Sequence, residues 1–285
     1  MRRKELKSFF VFILTLFVFF SCSSESEKNL KSKRANKAAS VPIVVSWNIT
    51  QSLEFDLNAT DSYTVNIDEN QYYVSNLNNR IIQDEIIKGG GSGEVLTSDG
   101  FILTCYHVVD DSFGAPDIKV IIRNGRNEKN GFELSARLVT FDEGNDLAVI
   151  KVDAYFPEHI VIGSRTEVIE TYPVYNWGYP LGDLSIDGVG LAYTQGYIDK
   201  EKAYIGGNLS KRNLPRLLVS TRSVPGVSGS PLFSNESHHF LGVTQGIIAE
   251  FIFGPIVSGP VNTIIIPVDQ VDLFLDQRNI PHSHF

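Results

Sequence analysis

The amino-acid sequence predicts an all-β protein that closes on one short C-terminal helix. Three observations carry that prediction. From Gly89 onward, segments alternate apolar and polar residues, as at Ile118, Val120 and Ile122 and again at Phe132, Leu134, Ala136 and Leu138, with the period of two expected of half-buried strands. Turn residues separate these segments at short intervals; Asp99-Gly100, between residues 94–97 and 101–104, is a hairpin signal. Late in the chain, convincing helical spacing occurs at Val268, Val271, Phe274 and Leu275, after a proline at 267 suited to a helix start. Many short strands at this spacing build a sandwich or barrels.

The chain has 285 residues, 42% hydrophobic and 20% charged, enough for a sizeable core. Its formal net charge of −8 argues against nucleic acid as a partner, because phosphate binding wants a basic face. The first segment has the pattern of an export signal: Arg2, Arg3, Lys4 and Lys7 precede an apolar run over residues 9–20 that is too short to span a bilayer. It ends in Ser21-Cys22, which resembles a relaxed lipobox of bacterial lipoproteins, with residues 1–21 as signal peptide and Cys22 as the lipidated N-terminus. Cys22 and Cys105 are the two cysteines, so no disulfide framework is expected. Residues 22–40 are small, polar and charged and are expected to form a solvated tether. Residues 41–88 are expected to form an N-terminal extension, with one or two strands up to residue 73. Leu77, Ile81, Ile82 and Ile86 then suggest a short helix over residues 74–88. Further strands are expected at residues 147–152, 173–177, 192–198, 217–221, 240–244 and 263–266 within a main domain spanning 89–278. Residues 279–285 are expected to be a polar tail.

The segment with the most specific chemistry is Gly226-Val227-Ser228-Gly229-Ser230-Pro231-Leu232. A hydroxyl nucleophile for acyl transfer must sit on a turn sharp enough to expose it, with backbone N–H groups aimed at the developing oxyanion. Glycines at 226 and 229 permit such a turn, and the N–H groups of Gly226 and Ser228 would line the oxyanion hole. Taken alone, the segment also fits a turn with no catalytic role. Two others sharpen the reading. Thr104-Cys105-Tyr106-His107-Val108-Val109 puts a histidine at the end of an apolar strand, and Asn145-Asp146-Leu147-Ala148-Val149-Ile150 puts an aspartate at the mouth of another. The order His107, Asp146, Ser228 is that of the chymotrypsin-type triad rather than the subtilisin or α/β-hydrolase orders.

From Gly90 to about Asp276 the chain resembles trypsin-like serine proteases and, within them, the HtrA (Deg) group. The resemblance rests on "TCYHVV", "NDLAVIKV" and "GVSGSPLF", with support from Gly91-Ser92-Gly93, Trp177-Gly178-Tyr179-Pro180-Leu181-Gly182 and Ile264-Ile265-Ile266-Pro267-Val268. It implies two perpendicular six-stranded antiparallel β-barrels, chymotrypsin-like, with His107, Asp146 and Ser228 as triad in the cleft between them. Ser230 stands where most of the family has a second glycine, and Cys105 where a small residue is usual; Cys105 is expected to be a buried free thiol. The residues after Ser228 are needed to finish the second barrel and its helix, which leaves no room for a PDZ domain. Six residues before Ser228, Arg222 occupies the position that would form the floor of the primary specificity pocket, where a guanidinium would favour Glu or Asp before the cut bond. Arg222 turned outward to solvent is the competing expectation.

These readings imply a serine endopeptidase acting on protein or peptide substrates, exported and lipid-anchored to the bacterial cell envelope, with no cofactor and no metal. His238 and His239 are expected in a solvated hairpin tip, and His282 and His284 in the tail. A non-catalytic surface lipoprotein using the same scaffold for protein binding, and an esterase, are the alternatives. The lipobox reading makes the first testable prediction. Expressed in a bacterium, the protein should incorporate labelled palmitate and partition into detergent, and Cys22→Ala should lose both, because the acyl chains supply about 0.8 kcal/mol per buried methylene. Label retained on Cys22→Ala would rule lipidation at Cys22 out.

Overall fold

Two closed antiparallel barrels of six strands each make up the protein. The computed structural model describes residues 27–54, 63–67, 70–74, 80–110, 115–123, 131–180, 191–204, 214–223, 226–248 and 262–285. The signal-like segment, Cys22, Leu181, Gly182, Val224 and Pro225 lie outside the described residues.

The first barrel is built from β1 (Ser40–Glu54), β4 (Arg80–Val95), β5 (Phe101–Thr104), β6 (Asp117–Arg123), β7 (Gly131–Asp142) and β8 (Leu147–Val152), closing in the order β1-β4-β5-β8-β7-β6. Between β1 and β4 in sequence, β2 (Tyr63–Ile67) and β3 (Asn70–Val74) pair as a separate hairpin. The alternation seen in β6 and β7 places Ile118, Val120 and Leu134 toward the core. β8 departs from alternation for a physical reason: of its six residues Lys151 alone escapes full burial, so both its faces are apolar. β8 thereby aims the residue just before it, Asp146, out of the core and toward the second barrel.

The second barrel closes in the order β10-β11-β14-β13-β12-β9. Its strands are β9 (Pro173–Gly178), β10 (Ala192–Tyr204), β11 (Pro215–Val219), β12 (Pro231–Ser234), β13 (Phe240–Ile248) and β14 (Asn262–Pro267). The expected helix follows as α2 (Val268–Gln277), with Val268, Val271, Phe274 and Leu275 buried on one face. β13 carries an irregularity that matters below. Thr244 pairs with Ile265 and Gly246 with Ile264, so the register shifts by one residue at Gln245, a β-bulge that re-aims its side chain.

Four expectations are corrected. Residues 80–88 are strand, not helix: β4 pairs with β1 without interruption from Arg80↔Glu54 to Glu94↔Ser40. The spacing of Ile81, Ile82 and Ile86 fitted a helix, but these β-branched residues suit strands better, and the long ladder decides. The domain boundary at 89 therefore falls inside a strand, and the first barrel begins at Ser40. Residues 27–39, expected as tether, form a helix, α1. It docks on the second barrel: Asn36, 6% exposed, donates to the Tyr175 hydroxyl at 2.9 Å and to the His238 carbonyl at 2.8 Å. Lys33 donates to Asn235 and lies over the Tyr175 ring, and Lys37 lies over Trp177. The hairpin tip and tail are tied down rather than loose, although His284 and Phe285 stay exposed. His238 is buried against Tyr175, His239 meets Glu167 at 3.1 Å, and Ile162 donates to the Ser283 carbonyl, fixing the tail beside α2.

One polar residue in the first barrel is costly. Glu94, opposite Ser40 on β1 and Leu103 on β5, is fully buried, and neither carboxyl oxygen has a partner among the described residues. Burial pushes its carboxyl well above the usual carboxylate range, which favours its protonated form.

Candidate active site

His107 and Asp146 meet where the first barrel faces the second. The end of β5 leads through Cys105 into a short 3₁₀ turn over Tyr106–Val108 that presents His107, whose side chain is 45% exposed. Asp146 closes the β7–β8 turn in a left-handed conformation, φ 60°, which aspartate tolerates better than most residues. This twist turns its carboxylate back onto the histidine. Asp146 Oδ1 accepts from the His107 backbone N–H at 2.9 Å, and Oδ2 lies 2.8 Å from His107 Nδ1. The Asp146 carbonyl also accepts from Tyr106. The imidazole is thus gripped at ring and backbone, with Nδ1–H toward Asp146 and Nε2 left for another partner. Burial works against its charged form, but the Asp146 hydrogen bond and charge, with Asp110, outweigh burial and hold His107 above its usual value.

Ser228 comes from the second barrel on a turn that glycine makes possible. Gly226 and Gly229 have φ of 93° and 85°. A Cβ at Gly229 would strike the Ser92 carbonyl and the Thr104 hydroxyl, so position 229 is closed to other residues on both counts. The turn is pinned across the barrel interface. Ser92 N–H donates to the Ser228 carbonyl at 2.8 Å, and Ser92 Oγ donates to the Gly226 carbonyl at 3.0 Å while accepting from Tyr179 N–H. Ser230 is held by Asn176, which also binds Thr244. The Ser228 backbone N–H has no acceptor among the described residues, which leaves it available to an oxyanion. The Ser228 hydroxyl donates to the Gln245 carbonyl at 3.3 Å. Among the described residues the hydroxyl makes no hydrogen bond to His107, and contacts of this kind often tighten only once substrate is bound.

Sequence reasoning missed two residues. Gln245, on the β13 bulge and buried, donates from Nε2 to Asp146 Oδ2 at 3.0 Å and accepts at Oε1 from Arg216 Nε at 2.7 Å. Arg216, 1% exposed, donates further to Gln270 Oε1 at 2.7 Å and to the Asn145 carbonyl at 3.2 Å. Burial lowers the pKa of Arg216, while the nearby charge of Asp146 counteracts it. The signal for both was faint: a charged and an amide residue set in otherwise apolar strands, where burial without partners is costly.

The remaining expectations divide. Cys105 is a buried free thiol that donates to the Thr244 carbonyl at 3.3 Å. Its Sγ lies near His107 and Asp146, and burial first, then Asp146, raise its pKa well above the usual thiol value, which favours the thiol over the thiolate. Arg222 is exposed to solvent, with no carboxylate paired to it among the described residues. It is not a desolvated guanidinium on a closed pocket floor, because such a charge would demand a partner.

Comparison with known proteins agrees with this geometry. Residues 91–243 match the family model described as trypsin-like peptidase domain. A chloroplastic Protease Do-like 1 from Arabidopsis thaliana is 28% identical over 198 residues, covering 68% of this chain and 40% of that protein. A probable periplasmic serine endoprotease, DegP-like, from Hahella chejuensis is 34% identical over 147 residues, covering 51% of this chain and 27% of that protein. The chain thus spans well under half the length of these relatives. Among solved structures, the HtrA-type protease AlgW with a decapeptide has a TM-score of 0.58 at 21% identity, covering 90% of this chain and 68% of the other. Deg5 has 0.54 at 20%, covering 92% and 98%; at these identities the likeness is one of fold.

The bridge through Gln245 is testable without any activity measurement. Gln245→Leu strands a buried guanidinium and takes one donor from Asp146. It is expected to lower stability by about 3 kcal/mol in urea denaturation, the scale of breaking a buried charged network.

Proposed function

We propose, because the chain belongs to the trypsin-like peptidase domain family, that it is a serine endopeptidase of the HtrA type. The observation that carries this reading is the 2.8 Å pairing of His107 Nδ1 with Asp146 Oδ2, facing a serine held on a two-glycine turn by the opposite barrel. That arrangement supports Ser228 as nucleophile, His107 as general base and Asp146 as the group that orients the imidazole.

In the proposed reaction His107 Nε2 takes the Ser228 proton as Oγ leaves the Gln245 carbonyl and attacks the peptide carbonyl carbon. The imidazolium that forms is stabilised by Asp146, itself oriented by Gln245. The N–H groups of Gly226 and Ser228 hold the oxyanion. His107 then gives its proton to the leaving amine, and water, activated by the same imidazole, hydrolyses the acyl-enzyme. No cofactor enters these steps. The peptide seen with the AlgW structure supports protein or peptide substrates here, and the periplasmic description of the DegP-like relative supports export to the envelope. Lipid anchoring through Cys22 is part of the same proposal and rests on the sequence.

A fluorophosphonate probe tests the assignment. The protein should be labelled at Ser228 and should cleave casein. Ser228→Ala should lose the label and at least about 10⁴-fold in kcat while keeping its fold by circular dichroism. Labelling that survives Ser228→Ala, or a folded wild type that neither labels nor cleaves, would favour a binding scaffold over an enzyme. The pH profile supplies a second check. His107 must be neutral to act as base and its pKa is raised, so kcat/KM should fall on the acid side with a midpoint above about 6.5, the unperturbed histidine value. A midpoint below that value would contradict the Asp146 pairing.

A further inference from the structure

We infer that His282, His284 and Asp272 form a zinc site that clips the C-terminal tail to α2. The three side chains belong to segments that the fold brings together. Asp272 lies mid-helix, and the tail runs back beside it, held by Ile162 N–H to the Ser283 carbonyl at 2.8 Å, by Phe285 N–H to the Ile162 carbonyl and by burial of Ile280. His282 Nε2 lies 3.2 Å and His284 Nε2 3.3 Å from the same oxygen, Asp272 Oδ1. In a tetrahedral zinc site with bonds of about 2.0–2.1 Å, neighbouring ligand atoms stand about 1.63 bond lengths apart, or about 3.3–3.4 Å. The two observed separations match that edge length.

The hydrogen bonding of His282 points to a cation. His282 Nδ1 lies 2.7 Å from the Ile280 carbonyl. A carbonyl oxygen only accepts, so Nδ1 carries the proton. In the neutral ring Nε2 then presents a lone pair, and it does so to Asp272 Oδ1 at 3.2 Å and to Asp276 Oδ1 at 3.8 Å. Lone pairs facing carboxylate oxygens repel unless a positive charge lies between them, either a second proton on the ring or a metal ion. The Nδ1–H to carbonyl bond is also the outer-shell contact that fixes a metal-ligating histidine in its tautomer. His282 is 7% exposed and rigidly placed, whereas His284 is 50% exposed. His284 and Asp272 border an open cleft with Gly163 and Asp269, a path for the ion. Imidazole and carboxylate donors suit zinc rather than magnesium, which prefers oxygen ligands alone. Asp276, one helical turn after Asp272, adds negative charge beside these three ligands, its Oδ1 3.8 Å from His282 Nε2.

Calorimetric titration of the full chain, purified without a histidine tag, with zinc chloride at pH 7.5 tests the site. The wild type should bind one equivalent that the variants weaken and should gain thermal midpoint with zinc but not with magnesium. His284→Ala, at a half-exposed position where folding is not at issue, and Asp272→Asn should each weaken zinc binding at least about tenfold, the lower scale of losses at metal sites. His282→Ala/His284→Ala should abolish the midpoint gain. No zinc binding by the wild type would overturn the proposal. So would undiminished binding by the folded His284→Ala variant, which would place the ion elsewhere, or an equal response to magnesium.

Discussion

At the candidate active site a single amide side chain ties the two barrels together. Gln245 belongs to the second barrel, yet its Nε2 donates to Asp146 of the first and its Oε1 accepts from the buried Arg216. Its backbone carbonyl takes the Ser228 hydroxyl. These three contacts meet at the bulge where the register shifts by one residue between Thr244 and Gly246. The guanidinium it holds is desolvated and makes no ion pair with a carboxylate among the described residues; it is satisfied by Gln245, Gln270 and backbone carbonyls. Removing any one member leaves a charge or a donor stranded, so the members hold one another in register.

Around that bridge the barrel interface is narrow, polar and built from small groups. Ser92 alone makes three hydrogen bonds to residues of the second barrel or its loops: through N–H to Ser228, and through Oγ to Gly226 and Tyr179. Cys105 adds a donor across it to the Thr244 carbonyl, while Thr104 braces Ser92 on the first barrel and Asn176 braces Ser230 and Thr244 on the second. Buried apolar residues of the two barrels belong to one continuous cluster, and the polar contacts at its edge fix position. α1 adds a second connection, since it runs directly into β1 of the first barrel while Asn36, Lys33 and Lys37 bind residues of the second. The turn carrying Ser228 and the turn carrying His107 are therefore referenced to the same few atoms.

Much of this was legible in the sequence, and the failures have physical reasons. Alternation at Ile118–Val120–Ile122, the apolar stripe of α2 and the three motifs around His107, Asp146 and Ser228 all lie where local pattern and tertiary role agree. β4 was misread because Ile81, Ile82 and Ile86 satisfy both a helical and a strand spacing, and its partner β1 lies far away in sequence. α1 escaped because it has no apolar stripe: it docks through Asn36 and two lysines, residues that look solvated in a one-dimensional reading. Arg216 and Gln245 could not be paired from sequence, since their meeting depends on a bulge. His282 and His284 looked like loose tail residues because Asp272, the residue they meet, sits on the helix before them. Arg222 carries two expectations, pocket floor or outward to solvent, and its exposure agrees with the second.

Glu94 sets the protein's durability against its proposed work. Its protonated form is favoured by burial, whereas in an unfolded chain it would ionise at an ordinary acidic pH. Between those two values the unfolded chain binds fewer protons than the folded one, so this residue makes the fold progressively weaker as pH rises. His107, whose raised pKa favours the folded state on the acid side, loses that contribution over its own titration. Both groups thus reward acidity, while the proposed base is competent only once His107 has shed its proton. Glu167 and His238, both held below their usual values, pull the other way as pH falls, so the four groups together bound how far acidity can favour the fold while it silences the proposed base.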